Sequence, residues 1–239
     1  MQGYIIHTQN QKNEDLIVRI LTKNEIKTLY RFYGARHSIV HIGRKIDFIQ
    51  ENNGIFMPKL RNVFHIGFNW EREEERLYIW QRFIGLLHQH LKDIYTIDQA
   101  YFEILDFGAQ KLCAQNPKRV VLEMYAQILR YEGRKPTNMH CILCAQLLTN
   151  PPPSDFAPEE LLLGRYNKPF SEKFNPSSDN PANNVQINVT RGFLGAHTEC
   201  VYGEMFDYDK LQSFLESAST IELDDEEVQR AYQVLLLGL

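Results

Sequence analysis

The hydrophobic period of this 239-residue chain changes at Glu71, and that change limits the folds open to it. Before Glu71 the apolar residues alternate. Leu16, Val18 and Ile20 fall on one face of a segment, with Ile17, Arg19 and Leu21 on the other. Ile26, Thr28, Tyr30 and Phe32 likewise oppose Lys27, Leu29, Arg31 and Tyr33. A period of two marks half-buried strands. Gly3 to Thr8, Ile46 to Gln50 and Lys59 to Phe68 read as further strands, with Lys23-Asn24-Glu25 as a hairpin turn and Gly34, Gly43 and Gly54 as punctuation. Five strands in about seventy residues predict a small closed barrel of the OB type. The alternation places Tyr30 and Phe32 inward and Tyr33 outward with Arg31.

From Glu71 the spacing becomes helical. Leu77, Trp80, Ile84, Leu87 and Leu91 recur every three or four residues, with Glu73, Glu74 and Glu75 where the helix dipole favours them. A second helix is predicted from Ile97 to about Ala114, with Cys113 as a core thiol. A third starts at Pro117 and ends at Gly133. Phe206 to Ser217 and Leu223 to Leu237 regain the helical pattern, with Asp207 and Asp224 as caps, and are expected to close the bundle. Residues 150–184 hold Pro151-Pro152-Pro153 and four more prolines and read as a long insertion. The expected class is α+β: an OB-type β-barrel over residues 1–70, then a mainly α-helical domain over 71–239 with a Cys/His knuckle (140–144, 197–200).

Charge divides at the same boundary. Residues 1–70 carry ten Lys/Arg against five Asp/Glu, a net +5, so a chain of net −4 leaves −9 on the remainder. Such asymmetry points to a polyanion-binding module joined to something else. Phosphates could be neutralised by Lys23, Lys27, Arg31, Arg36, Arg44 and Lys45, with Tyr33 as a stacking residue. The 44% hydrophobic content is that of a folded protein. No segment is apolar enough for a membrane span and no signal peptide is visible, so a cytoplasmic protein is expected. No phosphate-binding Gly loop, G-x-S-x-G or H-E-x-x-H occurs.

Cys141-Ile142-Leu143-Cys144 is a C-x2-C knuckle, and His197-Thr198-Glu199-Cys200 adds H-x2-C after a gap of 52 residues. Three sulfurs and an imidazole suit one tetrahedral structural zinc ion. His140 is a competing ligand. A zinc enzyme would need an open coordination position and a base, for which Glu199 is the local candidate.

The ordered parts resemble the bacterial recombination mediator family RecO. The residues that carry the resemblance are Gly3-Tyr4-Ile5-Ile6-His7-Thr8, Asn13-Glu14-Asp15-Leu16-Ile17-Val18, Leu21-Thr22, Gly34-Ala35-Arg36, and Ile128-Leu129-Arg130-Tyr131-Glu132-Gly133 leading to Cys141-x2-Cys144. The chain departs from the family's complete zinc pattern, a second C-x2-C soon after the first, by placing His197 at the third ligand position after a long insertion. The resemblance implies a non-enzymatic, nucleoid-associated protein that binds and anneals single- and double-stranded DNA. It also implies contact with the C-terminal tail of single-strand-binding protein, for which Arg119 and Arg130 are candidate cations, and help from RecR in loading RecA. The competing expectations are the zinc enzyme and an RNA-binding barrel.

Overall fold

The computed structural model describes residues 1–36, 39–52, 54–136, 140–149 and 185–239. The proposed insertion at 150–184 lies outside the described residues. The chain forms two compact units: Met1–Arg134 with Gly238–Leu239, and Lys135–Leu237.

The first unit opens with strands β1 (Gln2–Asn10), β2 (Leu16–Leu21), β3 (Ile26–Arg31), β4 (Lys45–Glu51) and β5 (Lys59–His65). They close into a barrel in the order β1-β2-β3-β5-β4, with β4 pairing back onto β1. The pairs are antiparallel except β3 with β5, where Tyr30 lies opposite Lys59. This is the five-stranded closed barrel expected of the OB type. Its interior is filled by Ile5, Leu16, Val18, Ile20, Leu29, Ile46, Phe48 and Leu60, with Val40 beneath.

The register decides which face of β3 is inside. Val18 pairs with Leu29, Leu16 with Arg31 and Ile20 with Lys27. Directly opposed residues share a face, so Lys27 and Arg31 lie on the core side with Leu29. Tyr30 and Phe32 are therefore outside, and the inward placement expected from their alternation is overturned. Phe48, also an aromatic of the barrel, is in the core.

Three helices pack with the barrel: α1 (Glu74–His90), α2 (Gln99–Lys111) and α3 (Pro117–Tyr131). Asp98 caps α2 by accepting from the Ala100 N–H, and Asn116 caps α3 by accepting from the Lys118 N–H. Gly133 ends α3 at φ 66°. The Arg134 N–H reaches the Leu129 carbonyl and the Gly133 N–H the Arg130 carbonyl, the paired bonds of a Schellman ending. Cys113 lies just beyond the end of α2 and is exposed, contrary to the core position expected of it. The helix stops before it at Lys111.

An aromatic seam joins α1 and α2 to the barrel. Tyr4 meets Trp80 edge-on at 5.9 Å and Phe102 at 5.7 Å, and Trp80 meets Trp70 at 5.6 Å. The Trp80 indole N–H donates to the Gly43 carbonyl at 2.7 Å. Gly43 is at φ 87°, and a Cβ there would come within 2.8 Å of the same indole. Glycine is therefore required twice over, by backbone conformation and by space. Arg19 on β2 donates to the carbonyls of Leu91, Lys92 and Ile94 in the segment just after α1, a cation at the end of the helix that its dipole favours.

The second unit contains a small antiparallel sheet that the sequence did not reveal. Its strands are β6 (Gln186–Val189), β7 (Gly195–Ala196) and β8 (Glu204–Asp207), in the order β7-β6-β8. Helices α4 (Tyr208–Ser217) and α5 (Asp225–Leu236) pack on it. Phe193 meets Phe214 edge-on at 5.6 Å, and the Arg230 guanidinium lies 5.6 Å from the Phe206 ring centroid. The last two helices thus group with this sheet, where they were expected to close the bundle of α1–α3. Phe206, expected in a helix, is in β8. Asp207 and Asp224 cap α4 and α5 as expected, the latter in a reciprocal capping box with Glu227.

Candidate nucleic-acid interface and metal centre

The seven barrel residues singled out from the sequence occupy several environments, and the fold does not gather them on one face. Lys45 projects from β4 beneath α2. Its ammonium is 2.7 Å from Asp106, which also accepts from the Tyr4 hydroxyl at 2.6 Å. The same ammonium lies 5.7 and 5.3 Å from the Tyr4 and Phe102 ring centroids. With its side chain 12% exposed, Lys45 is committed to helix docking. Lys27 is equally enclosed and pairs with Glu25 at 2.6 Å. Arg31 reaches from the core side of β3 to the Leu60 carbonyl at 3.0 Å, and its Nε is enclosed with no acceptor among the described residues. Burial and the neighbouring Arg61 both lower its pKa.

The remaining four lie nearer to solvent. Lys23 is exposed in the β2–β3 turn, and Arg44 is half-buried at the start of β4. Tyr33 is exposed in the left-handed region at φ 49°, with its N–H on Asp15 at 2.7 Å. The Arg36 guanidinium lies 5.2 Å from the Tyr33 ring centroid and pairs with Glu14.

A second group of cations and aromatics, absent from the sequence-derived site, lies on the outside of β3 and β5. Phe32 follows β3 and is 41% exposed. Lys59 Nζ and Arg61 Cζ lie 5.3 and 5.9 Å from its ring centroid. Arg61 also pairs with Glu51 at 2.7 Å, and both side chains are half-exposed. Asn62 at φ 45° introduces an irregularity in the β4–β5 register, after which Phe64 is exposed. The signal that could have located this group was the outward placement of Phe32. Both faces of β3 carry apolar residues, so alternation alone does not show that placement.

The metal-ligand set assembles as the sequence spacing suggested. The ligand atoms of Cys141, Cys144, His197 and Cys200 all lie within 4.8 Å of one another. His140 is exposed and outside the group. The first pair sits in a turn closed by the Ala145 N–H on the Cys141 carbonyl at 3.0 Å, with Ala145 left-handed at φ 59°. The second pair sits in a turn closed by the Cys200 N–H on the His197 carbonyl at 3.0 Å. Buried Asn188 on β6 holds that turn by donating to the Val201 carbonyl at 2.6 Å.

The geometry fits a tetrahedral ion. Sulfur at about 2.3 Å and nitrogen at about 2.0 Å from zinc give sulfur–nitrogen edges of roughly 3.5 Å. Cys144 Sγ and Cys200 Sγ lie 3.3 and 3.6 Å from His197 Nδ1. The other ring nitrogen, Nε2, faces the Leu147 carbonyl at 2.9 Å, so Nε2 carries the proton and Nδ1 is left to ligate. Burial raises the Cys141 thiol, but the N–H groups of Cys144, Leu143 and His197 outweigh it and the net shift is downward. Burial and the two adjacent thiols push Cys200 upward. A cation among the three sulfurs would relieve that crowding. Four protein ligands leave no open position, which is the arrangement of a structural site. Glu199 is exposed between two of the ligands.

Residues 1–71, the whole barrel and the turn into α1, match a family model described as RecO N terminal. The opening domain is similar to the N-terminal domain of RecO proteins. The match is to this domain alone. No curated protein matches the chain. No helix among the described residues is long and apolar enough to cross a membrane.

Proposed function

We propose that this RecO-type protein is a non-enzymatic recombination mediator whose barrel binds single- and double-stranded DNA. The observation that carries this reading is the agreement between the RecO-type barrel and a solvent-facing group of cations and aromatics on its wall. Strand affinity comes mainly from phosphates, with Lys23, Arg36 and Arg44 as contacts and Tyr33 as a stacking residue, while Arg31 is held on the core side of β3. Lys27 and Lys45 serve chiefly as paired structural cations. On this reading the protein anneals complementary strands, contacts the C-terminal tail of single-strand-binding protein and, with RecR, helps to load RecA. Cys141, Cys144, His197 and Cys200 hold one structural zinc ion that fixes the knuckle and takes no part in turnover.

Titration of labelled single-stranded DNA at several salt concentrations tests the reading. Each neutralised phosphate of a single strand contributes about −0.7 to the slope of log affinity against log salt. A local footprint of three or four cations predicts a slope of roughly −2 to −3. An affinity unaffected by salt would remove the barrel as a phosphate-binding surface. Competition with an RNA strand of the same sequence separates this reading from that of an RNA-binding barrel.

A further inference from the structure

We infer that Phe32, flanked by Lys59 and Arg61, is a stacking station for one unpaired base of single-stranded DNA, with the two cations serving the adjoining phosphates. This rests on the barrel being the DNA-binding domain and names the part of its wall that would hold the strand.

The ring of Phe32 lies outside the core and is 41% exposed, yet it is held in place. Tyr30 meets it edge-on at 5.0 Å and 73°. The Tyr30 hydroxyl is in turn anchored on buried Asp15 at 2.5 Å, and Asp15 also accepts the Tyr33 N–H at 2.7 Å. One carboxylate therefore fixes the backbone and the aromatic neighbour on both sides of Phe32. A ring ordered in advance loses little conformational freedom when a base stacks on it.

Two cations flank the ring. Lys59 and Arg61 lie 5.3 and 5.9 Å from its centroid, and Arg31 on the core side of β3 is tied to the Leu60 carbonyl between them in sequence. Glu51 faces both, pairing with Arg61 at 2.7 Å and attracting Lys59, and the Arg61–Glu51 pair is half-exposed and open to exchange with a phosphate. Burial lowers the Arg31 pKa, and the nearby Arg61 lowers it further. Both cationic side chains are long enough to move from ring to phosphate while the ring receives a base. A paired base has both faces covered by its neighbours, so an aromatic station of this kind favours single strands.

Phe32→Trp tests the stacking directly in the full chain. The native Trp70 and Trp80 are buried, so quenching by a dT oligomer reports position 32. The expected result is quenching on binding. Phe32→Ala should weaken dT binding about tenfold while leaving duplex affinity and the melting temperature unchanged. Lys59→Ala with Arg61→Ala should flatten the salt slope by about 1.4, and Phe32→Ala should leave it unaltered. Salt-dependent binding by the native protein, with no quenching in Phe32→Trp and full affinity in Phe32→Ala, overturns the station and leaves the barrel reading standing. No binding of single strands by the native protein overturns both.

Discussion

Glu132 shows how much one side chain at a helix end can organise. It is the C-terminal cap residue of α3, and its carboxylate accepts from His90 on α1 at 2.6 Å, Tyr101 on α2 at 2.5 Å and Arg134 at 2.5 Å. Burial opposes its ionisation, but these three donors outweigh burial and hold the carboxyl at about 2, against an ordinary 4.5. Because the folded state holds the proton more weakly than the unfolded chain, the stabilisation is complete above the unfolded value and is lost as pH falls from about 4.5 towards 2. Burial, with His7 and Arg19 nearby, takes His88 down from 6.5 to about 4. The unfolded chain therefore takes up that proton first, and stability declines as pH falls through this higher window. We predict that Glu132→Gln costs about 1–3 kcal/mol at neutral pH, a buried hydrogen-bond network being broken. Thermal melts should show the difference from the native protein shrinking as pH falls below 4.5. The sequence placed Glu132 beside the helix-ending Gly133, which was correct. Its partners were invisible because they lie 42 and 31 residues away on other helices.

At the scale of elements, a clear period proved easier to recognise than to orient. The alternation in β3 established a strand, but each of its faces carries apolar residues. Only the pairing of Leu29 with Val18 settles which side is buried. The sheet β7-β6-β8 was not legible because strands of four, two and four residues are too short to display a period. The two ligand pairs were legible because each spans a single turn, and β6 and β7 then supply the support for the second. Metal analysis should find one ion per chain. Cys144→Ala or a strong chelator should remove it and lower the unfolding midpoint of the second unit by circular dichroism, since binding of a structural ion is coupled to folding. No catalytic turnover should disappear with it. Retention of the ion in Cys144→Ala would rule out the four-ligand site.

The whole molecule keeps its positive charge local. A chain of net −4 uses several barrel cations to hold its own fold, Lys45 and Lys27 above all, and leaves a smaller group facing solvent. The charge boundary at residue 70 was plain in the sequence, but the physical boundary falls later, since the first compact unit runs to Arg134. Charge follows composition, whereas packing follows the aromatic seam, whose members Tyr4, Trp80 and Phe102 come from three separate elements. Asp106 draws out the consequence. Its carboxylate serves a tyrosine on one strand and a lysine on another, so cutting the chain at residue 71, where the family match ends, would strip both of their shared counterpart. Such a fragment should melt well below one ending at residue 134 and should clump through its uncovered rings, a difference that scanning calorimetry and light scattering would register. The smallest portable form of this barrel therefore includes the three helices that shield it.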